Sequence, residues 1–141
     1  MSSTEAAFAG SSCIDGSMTT FCHSADAGQY SPWLRIDMGA TYSVSYVQIH
    51  NRNEYGCYSR LGAFELYLIS ATGQRQLCAQ AGSGGTLTCG ATPNAQSQQG
   101  PFTVACSGSA SQVELKLPGP NRVINLMEVY PLTHALVPTV S

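Results

Sequence analysis

Three side chains in this sequence could act together on a small polar ligand: His23, Arg52 and Arg60. Charge is scarce, with 6 Lys and Arg against 8 Asp and Glu in 141 residues and a formal net charge of -2. Each guanidinium is therefore informative. A guanidinium is a planar fork of five donors at fixed geometry, and a neutral imidazole can both donate and accept. Two forks and one imidazole suit vicinal hydroxyls, or a carboxylate, held by paired hydrogen bonds. Arg52 follows a predicted strand, Arg60 lies eight positions later across a loop, and His23 stands directly after Cys22. Spacing alone is equally consistent with ordinary surface arginines, so the fold must supply the convergence. Arg35, Arg75 and Arg122 read as outward-facing strand or loop residues, and Trp33, beside Pro32, as a sheet-packing residue.

The elements available to position these groups are strands. Val113, Leu115 and Leu117 alternate with Gln112, Glu114 and Lys116, which is the period-2 pattern of a half-buried strand. Phe64, Leu66 and Leu68 repeat it, as do Val47 and Ile49 within the β-rich stretch from Tyr42 to His50. Shorter strands are expected at Trp33 to Asp37, Phe102 to Cys106 and Asn121 to Tyr130. Turns at Asp15-Gly16, Met38-Gly39, Ala71-Thr72-Gly73 and Pro118-Gly119-Pro120 separate them. No window carries a capped amphipathic helix. Many short strands with Gly and Pro turns predict an all-β sandwich or barrel, with one long irregular stretch from Ala79 to Pro101.

Composition excludes several partners. A single lysine and five scattered arginines do not make the basic stripe of a nucleic-acid binder, and they give little attraction to anionic membranes. No Gly-x-Ser-x-Gly, His-Glu-x-x-His or phosphate-cradling loop is present, so catalysis is not expected. Six cysteines, none in a Cys-x-x-Cys pair, indicate an oxidising compartment rather than a zinc site. They allow many connectivities. Cys78 with Cys106 would close the base of the irregular stretch, Cys57 with Cys89 would pin its tip, and Cys13 with Cys22 would bracket the Asp15-Gly16 turn. The start, Met1-Ser2-Ser3-Thr4-Glu5, lacks the basic and apolar regions of a secretory leader. Secretion to the extracellular surface would thus imply a mature or excised domain.

The ordered runs Cys13-Ile14-Asp15-Gly16, Phe21-Cys22-His23, Pro32-Trp33-Leu34-Arg35-Ile36-Asp37-Met38-Gly39, Val47-Gln48-Ile49-His50-Asn51-Arg52, Arg60-Leu61 and Leu126-Met127-Glu128-Val129 resemble the discoidin (F5/8 type C) superfamily, and within it the F-type lectins, or fucolectins. The resemblance implies a galactose-binding-like jellyroll β-sandwich of about eight antiparallel strands over residues 6–132, with a short extension at 1–5 and a linker-like tail at 133–141. It implies that His23, Arg52 and Arg60 bind the hydroxyls of a fucose- or galactose-like sugar on a glycan or glycoprotein. It also implies a structural Ca²⁺ held by Ser12, Asp15, Ser17, Thr20, Met127 and Glu128, with Ser12, Ser17 and Met127 acting through backbone carbonyls. The family's adjacent cysteines between the two arginines are replaced here by Gly56-Cys57, the intervening loop is one residue longer, and Asn53-Glu54 stand at the acidic position. Tyr55 and Tyr58 in that loop are the candidates to cover the sugar's apolar face. Weak single-site binding would be reinforced by oligomers or repeats. The competing expectation is an adhesion module that binds a protein without sugar recognition. Membrane insertion is disfavoured, because the loops carry no cluster of Leu, Phe or Trp.

Overall fold

The computed structural model describes residues 1, 9–17, 19–25, 28–52, 57, 60–85, 87 and 101–135, the side chains of residues 134 and 135 excepted. Six strands form there: β1 Cys22–His23, β2 Trp33–Asn51, β3 Phe64–Ile69, β4 Arg75–Ala81, β5 Phe102–Lys116 and β6 Asn125–Ala135. A 3-10 turn spans Gly10–Cys13. The strands pair antiparallel in the order β1-β6-β2-β5-β3-β4.

That order becomes two layers because β2 and β5 bend. The first arm of β2, Trp33 to Asp37, pairs with the last arm of β5, which pairs in turn with β3, and β3 with β4. The second arm, Tyr42 to Asn51, lies between the first arm of β5 and β6, with β1 at the edge. The corner falls where pairing skips from Asp37 to Tyr42. Gly39 there has φ 79°, a left-handed conformation that costs glycine little, and its N–H donates to Asp37 Oδ1 at 2.9 Å. Met38-Gly39 is thus a bend within one strand rather than a break between two. Phe102 to Cys106 and Gln112 to Lys116 are likewise joined in β5. Counted by arms, the described residues form an antiparallel β-sandwich of about eight strands, as expected; counted as continuous strands, they form six.

Side-chain alternation places the core between the layers. Leu34 and Ile36 are buried and Arg35 and Asp37 exposed; beyond the irregularity between Val44 and Tyr46 the buried set becomes Val47 and Ile49. One extra residue in a strand moves every later side chain to the opposite face. These residues pack with Phe64, Leu66, Leu68, Val113, Leu115, Leu126 and Val129, each large apolar side chain contributing about 1.5–3 kcal/mol on burial.

Disulfides join Cys78 to Cys106, with Cα atoms 5.1 Å apart, and Cys13 to Cys22, at 5.2 Å. The first ties β4 to β5 and the second ties the 3-10 turn to β1. Cys57 is also disulfide-bonded, while Cys89 lies outside the described residues. Two boundaries differ from the sequence reading. Residues 79–81 belong to β4 rather than to the irregular stretch; β4 is a mostly exposed edge strand, so it shows no alternation to recognise. At the other end, β6 passes the expected boundary at 132 and pairs residues 133–135 with Val44, Ser43 and Tyr42. Pro131 signals a strand end in sequence, but β1 covers only Asn125 and Leu126, so β6 has one neighbour beyond them and tolerates a proline.

Candidate functional site

His23, Arg52 and Arg60 converge at one end of the sandwich, where β1, the end of β2 and the start of β6 meet. His23 pairs with Asn125 across the β1–β6 ladder. Arg52 follows Asn51, which is fully buried and whose Oδ1 accepts the Arg52 backbone N–H at 2.9 Å. Arg60 Nη1 donates to His23 Nε2 at 2.8 Å and to Asn125 Oδ1 at 3.1 Å. Arg52 Nη1 donates to the same Asn125 oxygen at 3.0 Å. Arg60 Nε donates to Leu87 O at 2.7 Å. His23 and Arg60 are buried and Arg52 half-buried.

The histidine tautomer follows from its neighbours. Guanidinium is only a donor, so Nε2 accepts; the Ser24 carbonyl is only an acceptor, so Nδ1, at 2.5 Å from it, carries the proton. The site therefore combines guanidinium donors with one fixed acceptor. A hydroxyl can use both kinds of group at once, whereas a carboxylate can use only the donors.

Asn125, which the sequence reading did not single out, is the hub. It is 2% exposed, accepts from both arginines, and donates through Nδ2 to Cys22 O at 3.2 Å. These partners fix its amide orientation. Phe21 is a second residue missed, lying under the Arg52 guanidinium at 4.1 Å, a contact that keeps a cation oriented. Arg122 corrects an expectation. Rather than facing outward it is 5% exposed, and its guanidinium donates to Pro118 O at 2.8 Å, Leu61 O at 2.6 Å and Ala63 O at 2.7 Å. Burial lowers its pKa. It holds the backbone immediately after Arg60. Arg35 and Arg75 do lie on the outer face of the β2-β5-β3-β4 layer, but both are paired to the buried Glu114 carboxylate. They also stack on Trp33 and Tyr67, which gives Trp33 its sheet-packing place.

A second constellation lies next to the first along β6. Asp15 Oδ1 accepts the Ser17 N–H at 2.9 Å and Oδ2 accepts the Thr20 hydroxyl at 2.5 Å. Glu128 Oε1 accepts the Gly16 N–H at 3.1 Å, which brings the Glu128 carboxyl against the Asp15 turn, where the two carboxyls influence one another's protonation. The Thr20 and Ser17 bonds hold Asp15 below its usual pKa, whereas burial, then the Asp15 carboxyl, pushes Glu128 up to about 7. Two carboxyls in contact share a proton or a cation. Ser12 and Met127 flank the same turn and strand. No cluster of three His, Cys, Asp or Glu side chains that could hold a metal occurs among the described residues, so any cation here would also need hydroxyl and carbonyl oxygens.

Tyr55 and Tyr58 lie outside the described residues. A cleft of about 400 Å³ beside the Arg60 segment is lined mainly by Leu61, Phe64, Ala81, Phe102 and Val104. It lacks the convergent polar groups that orient a polyol. No helix among the described residues is long and apolar enough to cross a membrane.

The model of the F5/8 type C family described as NedA-like, galactose-binding domain matches residues 12–115. No curated protein sequence matches the chain. Among solved structures, the lectin domain of lectinolysin complexed with Lewis B antigen superposes with a TM-score of 0.76 at 21% identity, covering 95% of this chain and 90% of that one. The family 32 carbohydrate-binding module of C. perfringens NanJ, in complex with galactose, gives 0.68 at 18% identity, covering 92% and 88%. The F-lectin from Morone saxatilis (striped bass) serum gives 0.71 at 22% identity, with 99% of this chain spanning 47% of that one.

Proposed function

The chain belongs to the F5/8 type C family of NedA-like, galactose-binding domains, and from that premise we propose that it is a carbohydrate-binding module, not an enzyme, that recognises fucose- or galactose-like sugars through His23, Arg52 and Arg60. The observation that carries this is the convergence of both guanidinium groups on Asn125, with the acceptor nitrogen of His23 2.8 Å from Arg60. A sugar hydroxyl entering between Arg60 and His23 takes over both ends of that bond, accepting from Nη1 and donating to Nε2. Arg52, half-buried over Phe21, donates to a neighbouring hydroxyl or ring oxygen. The fixed acceptor favours a neutral polyol over a carboxylate, because an unmatched acceptor left buried costs about 1–3 kcal/mol. Either Tyr55 or Tyr58, by its place in the sequence between the two arginines, would supply the apolar cover. The lectin domain and galactose module that share the fold were solved in complex with Lewis B antigen and galactose, in keeping with this reading.

The donor set of the acidic turn fits a hard cation. Asp15 and Glu128 bring two carboxyls together at a partly buried point, and Glu128 resists ionising there without a counter-charge. Ca²⁺ prefers this mixture of carboxylate, hydroxyl and carbonyl oxygens. Asp15, Thr20 and Glu128 would hold it by side chains, and Ser12, Ser17 and Met127 by backbone carbonyls; its contribution is to replace the shared proton with positive charge. The chain's own residues then tie the turn to β6, and the Cys13–Cys22 disulfide relays that order to His23. The disulfides are in keeping with an oxidising, extracellular setting, where glycans or glycoproteins would be the partners and oligomers or repeats would supply avidity.

Calorimetric titration with L-fucose and D-galactose, with Ca²⁺ and after chelation, on wild type and Arg52→Ala, tests the reading. Saturable binding abolished in Arg52→Ala supports the clamp, and weakening on chelation supports the cation. Binding that survives in Arg52→Ala removes the clamp. No binding by folded, oxidised protein favours protein adhesion.

A further inference from the structure

Tyr30 is 79% exposed, whereas the next most exposed large apolar side chains among the described residues, Ile14 and Tyr46, stand at 49% and 47%. Lone exposed aromatics are common and by themselves mean little. What sets Tyr30 apart is the rigidity of its loop and what that loop is bound to. On one side of it, Gln29 and Arg122 exchange both backbone hydrogen bonds, each 3.0 Å long. On the other, the Ser31 N–H donates to Gly119 O at 2.8 Å, the Gly119 N–H donates to Ser31 Oγ at 3.0 Å, and Leu117 N–H donates to Pro32 O at 3.0 Å. Ser31 is held in the left-handed region at φ 48°, which a non-glycine residue adopts only when its surroundings impose it.

Two routes connect this loop to the clamp. Arg122, which pairs with Gln29, also grips Leu61 O and Ala63 O directly after Arg60. Gly28 packs so tightly on Leu87 that a Cβ there would come within 2.8 Å of its side chain, and the Leu87 carbonyl accepts from Arg60 Nε. His23 pairs beside Asn125 and Gln29 forms an isolated bridge to Arg122, and three residues of the partner segment can separate those positions by at most about 11 Å. A rigid exposed tyrosine offers a flat apolar face at little ordering cost.

We propose that Tyr30 forms a second subsite, stacking on the CH face of the sugar ring next to the one held by His23, Arg52 and Arg60, so that the domain selects oligosaccharides over monosaccharides. This rests on the sugar-binding reading. The test is calorimetric titration of wild type, Tyr30→Ala and Tyr30→Phe with D-galactose, L-fucose, GalNAc-β-1,3-galactose and Lewis b oligosaccharide. Wild type should bind at least one oligosaccharide more tightly than either monosaccharide. Tyr30→Ala should weaken that complex about three- to tenfold, leave monosaccharide affinity within about twofold, and Tyr30→Phe should retain the gain. Equal effects on both ligand sizes, no effect on either, or no oligosaccharide preference in wild type would overturn the subsite and leave the clamp intact. Absence of wild-type binding to all four sugars overturns both. Melting temperatures of the variants confirm that the exposed substitutions leave the fold unchanged.

Discussion

Asn125→Ala is the most direct probe of how the clamp is assembled. The substitution removes one acceptor from each of Arg52 and Arg60, at 3.0 and 3.1 Å, and the donor that Cys22 O accepts from at 3.2 Å. Hydrogen bonds to charged groups contribute about 1.5–3 kcal/mol each and neutral ones about 1 kcal/mol. Both guanidinium groups keep other contacts, and water reaches half-buried Arg52, so a net loss of roughly 2–4 kcal/mol is expected. For a chain of this length that lowers Tm by roughly 6–15 °C. Sugar binding must then re-order two arginines, at about 0.5–1.5 kcal/mol each, weakening affinity about tenfold or more. Asn125→Asp keeps the acceptor for both arginines and adds a charge that attracts them, while losing the donor to Cys22 O, so its binding should fall less than that of the alanine variant. Thermal unfolding and calorimetry with L-fucose or D-galactose measure the two effects on the same samples. An alanine variant that melts within about 2 °C of wild type and binds sugar equally well would refute the hub. A lower Tm with unchanged affinity of the folded fraction would make Asn125 structural only.

Three further outcomes follow from the same geometry. Glu128 has a folded pKa raised from 4.5 to about 7, so the fold favours its protonated form. Its contribution to stability is complete below about pH 4.5 and is lost as pH rises through 7, amounting to roughly 3 kcal/mol at most in cation-free protein. Urea midpoints from pH 4.5 to 7.5 should fall in EGTA and flatten in excess Ca²⁺; a flat profile in EGTA would contradict this. Glu114→Gln removes the charge that the Arg35 and Arg75 guanidinium groups share on a buried carboxylate. The loss should be roughly 1–3 kcal/mol in urea unfolding, below that of a fully buried pair because both arginines reach solvent. Cys13→Ala/Cys22→Ala opens a loop whose ends are 9 residues apart, for roughly 2.5–3 kcal/mol by the loop-entropy account, and sugar affinity should fall with it because His23 adjoins Cys22.

The strands facing the core were legible because alternation reports burial directly. Leu34 and Ile36, Phe64 to Leu68 and Val113 to Leu117 each carried their face in the sequence. The corner at Gly39 and the irregularity at Val44 were not legible as such: a glycine that bends a strand and one that ends it look alike until the partner strand is known. β4 was missed because an exposed edge strand has no buried face to imprint a pattern. Among the arginines, type indicated a polar clamp, but type could not tell Arg60 from Arg122. Both are buried guanidinium groups; one meets an imidazole and an amide, and the other meets three carbonyls. Asn125 was invisible for the same reason, since a lone asparagine at a strand start reads as a turn residue.

The position of Asn125 also explains how a cation could matter to a sugar that it does not touch. Asn125 and Glu128 lie three residues apart at the start of β6, and both are buried. Leu126 between them pairs with Cys22, and its carbonyl lies 3.3 Å from Cys13 Sγ. Thus the acidic turn, the disulfide and the clamp hub share one short segment of backbone. Above about pH 7, where Glu128 ionises without a cation, repulsion between Asp15 and Glu128 would act on that segment, and a shift there would move the oxygen on which both arginines converge. Chelation should therefore weaken sugar binding in wild type, and should do so much less in Asn125→Ala, whose arginines no longer depend on that oxygen.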